Sequence, residues 1–418
     1  MKPTTLDEAI AFLARRIMPL SATATVHVAQ AVGYILAEDI HAPASLPRFD
    51  NSAMDGYALK QSDIDDEGIA KLSIDHVIAA GCSSGFELRS GSAARIMTGA
   101  PVPVGADRVV MQENAVIDGS AVTLRITDNS KFHIRRVGED VREGQQILKA
   151  GTKLHPGNLS LLVGLGFRSV RVTVRPRVAI LSTGNELADS PDKLVLGQIY
   201  DTNRPMLSWM LAQAGADVTD LGIIRDDPSS ILSALASAAK THDLLITSGG
   251  ASEGFADHLS DVVTRHGSLE FWKLNMRPGK PIGFGEIEHC PVLVLPGNPV
   301  AAAAGFATLG RAIIQGLVCR SCATPSYIAL PLSVGYSKPA ERVQLLMGKF
   351  RRRQHDNAII VEPLTLQSSS SYRALSEAEV FILLGAGKTT VSAGDLVAVV
   401  PLWQHWEDLL GDAKLLPS

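Results

Sequence analysis

Val178-Ala179-Ile180-Leu181 is an unbroken apolar run that passes straight into Ser182-Thr183-Gly184-Asn185-Glu186. Such a run predicts a strand buried on both faces, since a half-exposed strand would alternate with polar residues. Working outward, Pro205 predicts the first turn of a helix that carries Met206, Met210, Leu211 and Ala214 and stops at Gly215. A strand over 218–224, a helix over 228–240 and the strand Leu244-Leu245-Ile246 follow. Next come a helix over 257–266, β segments near 270–276, 282–287 and 292–295, and a helix from Pro299. This alternation predicts a three-layer α/β domain over 175–322, with a mostly parallel sheet between helices. Ligands of such sheets bind beyond the carboxyl ends of the strands, which directs attention to the loops there.

The flanks read differently. Thr5-Leu6-Asp7-Glu8 is a capping box, and Leu6, Ile10 and Leu13 then share one helix face. Residues 1–48 and 145–174 read as an N-terminal helix and mixed linker domain. Between them, 49–144 reads as a mostly-β insertion module, with Asp118-Gly119 as a hairpin turn. Short apolar strands recur over 323–418, which predicts a C-terminal β-barrel-like domain. The fold class expected is multidomain α/β plus β.

Composition narrows the function. A net charge of −4 gives no electrostatic footprint for nucleic acid, so an anionic ligand needs a local basic site. The most apolar stretch, 292–318, is broken by Pro296-Gly297-Asn298-Pro299 and by Arg311, which argues against a membrane span. No basic segment leads into an apolar one at the N-terminus, and the four cysteines are too scattered for a disulfide framework. A cytoplasmic protein is expected.

Four strand-end loops share a chemical theme. Ser182, Thr183, Gly184 and Glu186 leave one strand, and Asp226 and Asp227 leave the next. Ser248, Gly249, Gly250 and Ser252 leave a third, with Asp257 beyond, and Pro296-Gly297-Asn298-Pro299 opens the last helix. Glycines admit a ligand to the backbone, and helix starts offer N–H groups to a phosphate. Carboxylates beside a phosphate suit Mg²⁺, which takes oxygen ligands. Taken singly, Asp227 and Asp257 read as helix caps. Gathered at one sheet edge, the loops read as a site for a phosphate-bearing ligand. Lys273, Arg277 and Lys280 put three cations in eight residues of a Pro- and Gly-punctuated loop, which could hold an oxyanion but taken alone reads as a solvated surface turn.

Two apparent motifs fall away. Gly385-Ala386-Gly387-Lys388-Thr389 ends like a phosphate-binding loop, but Ile382 stands where its first glycine belongs and a strand follows, so a hairpin turn is expected. Cys319 and Cys322 form a lone pair without the second that zinc sites need.

The motifs taken together resemble one family, the molybdopterin molybdenumtransferases of the bacterial MoeA and gephyrin E-domain group. The resemblance is carried by PRFDNSAMDGYAL (47–59), RIMTGAPVPVGAD (95–107), GEDVREG (138–144) and LSTGNEL (181–187). It continues through GQIYDTNRPML (197–207), LGIIRDDP (221–228), ITSGGASEG (246–254), MRPGKPIGFG (276–285) and LPGNPVA (295–301). It implies a homodimer of four-domain subunits that inserts molybdate into adenylylated molybdopterin with Mg²⁺, yielding molybdenum cofactor and AMP. It implies catalytic roles for Asp55, Thr98, Asp140, Glu186 and Asp257, and Mg²⁺ at Glu186, Asp226, Asp227 and Asp257. Substrate contacts are implied for Arg135, Ser182, Thr183, Gly184, Ser248, Gly249, Gly250, Ser252, Lys273, Arg277, Lys280 and Pro296-Gly297-Asn298-Pro299, with Arg342 matching a C-terminal arginine. The molybdopterin adenylyltransferase and apo-molybdoenzymes are the further partners it points to. The family's glycine-bearing segment in the C-terminal region is here Gln367-Ser368-Ser369-Ser370-Ser371. A tungstate-inserting homologue and a non-catalytic molybdopterin-binding scaffold of the same fold stay open as alternatives.

Overall fold

A computed structural model describes residues 3–82, 85–128, 130–189, 193–250, 258–319, 327–353 and 356–402. The chain divides into two compact units, one comprising Met1–Ala24, Gly33–Ile35 and Thr173–Ser418, the other Thr25–Val32 and Leu36–Val172.

The first unit is built on a six-stranded sheet in the order Asp217–Ile224, Arg177–Thr183, Leu244–Ser248, Cys290–Leu295, Gly283–Ile287, Gly267–Phe271. The first four strands are parallel neighbours, and Gly283–Ile287 alone runs against the rest. Its apolar runs are continuous because both faces are covered. Val178, Ile180, Leu244, Ile246, Leu293 and Leu295 enter one core with the helices Leu6–Arg16, Asn203–Gln213 and Arg311–Val318. Their neighbours Ala179, Leu181, Leu245, Val292 and Val294 enter the other, against Pro228–Ala239 and His258–His266. Successive side chains point to opposite faces, so an apolar core on each side demands apolar residues at every position.

The apolar stretch from Pro299 to Val318 is one helix, with a π-helical turn over Phe306–Gly310. It is long and apolar enough to cross a membrane, yet 89% of its most apolar window is buried inside the protein, where it forms the spine of the first core.

Strands of the C-terminal part of this unit run in the order Met276–Arg277, Val343–Arg352, Val380–Leu384, Leu396–Pro401, Ile328–Pro331, with Ile359–Pro363 also on Val343–Arg352. A bridge between Leu332 and Val361 joins the far edges of this sheet. Gly385 and Gly387 lie in the turn between Val380–Leu384 and Thr390–Val391. The expected hairpin is not formed, because Thr390–Val391 pairs with Tyr336–Ser337 while Val380–Leu384 pairs with Val343–Arg352 and Leu396–Pro401.

The second unit holds a six-stranded sheet in the order Arg108–Met111, Gly56–Leu59, Ser92–Ile96, Ile69–Ile78, Ala121–Arg125, Ala115–Asp118. Ala115–Asp118 and Ala121–Arg125 form the hairpin around Gly119. At Gly56 the backbone of the next strand comes so close that a Cβ would stand 2.0 Å from the Val110 carbonyl oxygen, so only glycine fits after Asp55.

Candidate active site

Strand register brings the loops of the α/β sheet together. Ser182 pairs with Ser248, and Ser248 with Leu295, so three strands end side by side. From Arg177–Thr183 the chain moves to one side of the sheet, to Asp217–Ile224, and then crosses to Leu244–Ser248 on the other. Loops that depart in opposite directions leave a crevice between them, the usual seat of a ligand.

A cavity of about 430 Å³ lies there, lined by Ser182, Thr183, Glu186, Asn203, Ser248 and Gly249, by Pro296-Gly297-Asn298, and by Tyr200 and Tyr372. Its walls are close to the backbone. Gly249 and Gly250 have φ of +90° and +70°, and a Cβ on Gly249 would stand 2.3 Å from the Thr183 carbonyl oxygen. Ser182 and Thr183 are 1% and 2% exposed, and both hydroxyl oxygens are buried without a hydrogen-bond partner. Buried hydroxyls without partners are costly, and a ligand with acceptor oxygens at this place would satisfy them.

A second cavity of about 350 Å³ shares Pro281, Pro296 and Asn298 with the first. It presents Arg277, Lys280 and Arg342, together with Gln344, Gln367, Ser368 and Ser369. Met276–Arg277 pairs in parallel with Val343 and Gln344, which docks the cationic loop on the C-terminal sheet. Lys273 is not among the lining residues, and its carbonyl oxygen accepts the Thr4 N–H at 2.8 Å. Arg342 and Gln344 stand at the start of Val343–Arg352 and Gln367 in a loop beyond Ile359–Pro363; Arg342 and the segment from Gln367 were named through the resemblance, and Gln344 was not foreseen.

The acids divide. Glu186 folds back over Gly184, where a Cβ would lie 2.8 Å from its Oε2. The Asp226 N–H donates to Asn185 Oδ1 at 3.4 Å, and Asp226 Oδ1 is buried without a partner. Asp227 is different, because one of its oxygens is taken up by the helix that follows. Its Oδ1 accepts the Ser230 N–H at 2.9 Å and the Ser229 hydroxyl at 2.7 Å, capping Pro228–Ala239. Those bonds, the Ser230 N–H first, hold its pKa down to about 2. Among the described residues no group of three His, Cys, Asp or Glu is arranged to hold a metal. Mg²⁺ commonly takes only one or two carboxylates and completes its shell with substrate phosphates and water, and Glu186 and the orphaned Asp226 fit that lesser demand. Ser252 and Asp257 lie outside the described residues.

The remaining predicted residues belong to the second unit. Asp55 Oδ1 accepts both the backbone N–H and the hydroxyl of Thr98, at 2.7 and 2.8 Å. These two bonds, with a smaller contribution from the charge of Arg95, hold the carboxyl of Asp55 below the usual range. Asp50 accepts the Val137 N–H at 2.8 Å and pairs with Arg136 at 2.6 Å, which ties the segment carrying Arg135 to the one before Asp55. Arg135 stands opposite Asn51 in a two-residue pairing and, like Asp140, is exposed.

Sequence reading missed Asn203 and the Tyr372 wall. Asn203 lies within the matched DTNRP segment, and its place in that segment was the available signal. For Tyr372 no signal existed, because its helix comes from another part of the chain.

Three family models match the chain: the MoeA N-terminal region (domains I and II) over residues 4–166, a probable molybdopterin binding domain over 179–316, and the MoeA C-terminal region (domain IV) over 329–402. A molybdopterin molybdenumtransferase of Haemophilus influenzae is 36% identical, over 95% of this chain and 98% of its own length. Molybdopterin molybdenumtransferase 2 of Mycobacterium tuberculosis is 40% identical over 68% of this chain and 72% of its own length. Among solved structures, the MoeA protein of Pyrococcus horikoshii OT3 superposes with a TM-score of 0.81 at 25% identity, covering 96% of this chain and all of that one. With a relative matched over nearly its entire length and the three models in order along the sequence, the chain belongs to the MoeA family of molybdopterin molybdenumtransferases, transferases of molybdenum cofactor biosynthesis.

Proposed function

We propose that this chain inserts molybdate into adenylylated molybdopterin and releases AMP, in a Mg²⁺-dependent reaction. The observation that carries the reading is the junction of the two cavities at Pro281, Pro296 and Asn298. One cavity is lined by hydroxyls and close-approach glycines, which suits a phosphoanhydride. The other is lined by Arg277, Lys280 and Arg342, which suits an oxyanion of molybdate's charge.

In this reading Ser182, Thr183, Gly184, Ser248, Gly249, Gly250 and Pro296-Gly297-Asn298-Pro299 hold the pterin phosphate and AMP, together with Ser252. Buried hydroxyls donate to phosphate oxygens at a place from which bulk water is largely excluded, where such bonds gain strength. Arg277 and Lys280, with Lys273 at the base of their loop, hold molybdate beside the two sulfurs. The two thiols displace one molybdate oxygen as water. The P–O–P bond takes up one water and splits into pterin phosphate and AMP, so the atoms balance. When bound at Glu186 and Asp226, with Asp257 as a further ligand, Mg²⁺ would screen the anhydride charge. Asp55 and Asp140 accept protons from reacting groups, while Thr98 fixes the Asp55 carboxylate and Arg135 meets substrate charge.

The proposal includes a four-domain subunit, bounded at 1–48 with 145–174, 49–144, 175–322 and 323–418, and a homodimer in which the Asp55–Thr98 pair serves the cleft of the second subunit. The adenylyltransferase that supplies the substrate and the apo-enzymes that receive the product are its further partners. The test incubates purified protein with adenylylated molybdopterin, Mg²⁺ and molybdate and measures AMP and reconstitution of an apo-molybdoenzyme. Stoichiometric AMP and active enzyme are expected. Substrate binding without AMP release would leave a scaffold instead.

A further inference from the structure

Asn203 opens the helix Asn203–Gln213 and is 6% exposed, on the wall of the strand-end cavity. Its Nδ2 donates to Gly297 O at 2.7 Å and to Ser248 Oγ at 2.9 Å, with Pro296 O at 3.4 Å. Carbonyl oxygens only accept, so turning the amide over would aim Oδ1 at two acceptors, and the donor face of Asn203 is therefore fixed. The residue is also held in register by its neighbour. Arg204 bonds to Asp201 at 2.9 Å, to Asp220 at 2.5 Å and to Asp189.

This arrangement has a consequence for Ser248. Its oxygen already receives a hydrogen from Asn203, so its own hydrogen must point elsewhere. Ser248 is 2% exposed and lines the cavity. The oxygen of Ser182, opposite it in register, is buried without a partner, so it does not take that hydrogen. A hydroxyl that accepts one bond donates the next more strongly. We infer that Asn203 is a positioning residue that turns the Ser248 hydroxyl into a fixed donor toward a phosphate oxygen of the substrate. The inference rests on the proposed reaction and adds to it the residue that sets the polarity of one wall.

The experiment is a double-mutant cycle on the full chain, reading KM and kcat for adenylylated molybdopterin by AMP release. Ser248→Ala removes the donor, and KM is expected to rise roughly ten- to hundredfold, the range for one hydrogen bond to a charged group. Asn203→Asp keeps the shape but offers an acceptor, which draws the Ser248 hydrogen back from the cavity and gives a similar rise. If Asn203 acts through Ser248, the double variant loses no more than Ser248→Ala alone. Losses that multiply, or a wild-type KM in Asn203→Asp, overturn the assignment. Asn203→Ala runs the same cycle if the aspartate variant does not fold. Failure of the wild-type chain to release AMP overturns the reaction itself, and the assignment with it, so the two failures are told apart by the unmutated protein.

Discussion

Thr98 gives both of its donors to a single oxygen of Asp55, the backbone N–H at 2.7 Å and the hydroxyl at 2.8 Å. An acid held this way is kept ionised and fixed in direction, and both residues are exposed, so the arrangement carries little of the fold's stability. Thr98→Ala leaves one of the two bonds and lets the Asp55 pKa climb back toward the ordinary value. A reaction that needs the carboxylate should then fail at a higher pH on its acid side. The check is the pH profile of kcat, with the acid limb displaced upward in Thr98→Ala and the melting temperature unchanged. Asp55→Ala should abolish AMP release in a folded protein.

Arg204 is a cation almost enclosed by carboxylates, with its side chain 11% exposed and that of Asp201 only 2%. Arg204→Met leaves Asp201 buried without its partner. A loss of about 3–5 kcal/mol in urea unfolding is expected, the usual cost of breaking a buried pair from one side. For Asp220, burial works to raise the pKa, but the Arg204 hydrogen bond, the Gly222 N–H and the Arg204 charge together hold it below the usual range. A depressed carboxylate stabilises the fold above its unfolded pKa, and that contribution is lost as pH falls through the folded one. Stability of the unmutated protein should therefore drop on acidification, and Arg204→Met should drop less.

Arg277, Lys280 and Arg342 line one cavity, and in the proposed reaction they act on charge rather than shape. Arg277→Ala should raise the KM for molybdate about tenfold, as expected for one charge-assisted contact, with the KM for adenylylated molybdopterin little changed. Because two of the cations are exposed, the effect should shrink at high salt. Steady-state titration of molybdate at two ionic strengths decides the matter. Equal losses for both substrates would place the arginine elsewhere in the reaction.

Asp226 and Asp227 are adjacent acids with opposite fates. Asp226→Asn should raise the Mg²⁺ needed for half-maximal AMP release about tenfold, since it removes one charged oxygen ligand. Asp227→Asn retains a side-chain oxygen that can cap the helix and should leave the Mg²⁺ titration in place. A reversed outcome would return the metal to Asp227.

The α/β sheet was readable because its physics is local. Val178 to Leu181 is apolar at every position, as a core on each face asks of a strand. Pro228 and Pro299 each open a helix at N1 or N2, as expected for a residue whose missing N–H costs nothing there. The strand-end hydroxyls and glycines were legible for the same reason, since sheet topology alone gathers them. Asp227 shows the limit. Cap and metal ligand are the same residue type at the same place, and the Ser229 and Ser230 donors that make Asp227 a cap are seen only in the fold. Asn203 and Tyr372 were hidden because what matters about them is a partner distant in sequence. The antiparallel strand Gly283–Ile287 reads like its neighbours in composition, and direction is not written in an apolar pattern.

The strand Met276–Arg277 has one edge on the C-terminal sheet and lies in the loop that carries the cations. Any sliding of that sheet drags the arginine with it, so the proposed grip on an oxyanion is geared to the posture of the C-terminal strands. A truncation that spares every α/β residue would still take from the anion loop the strand it pairs with.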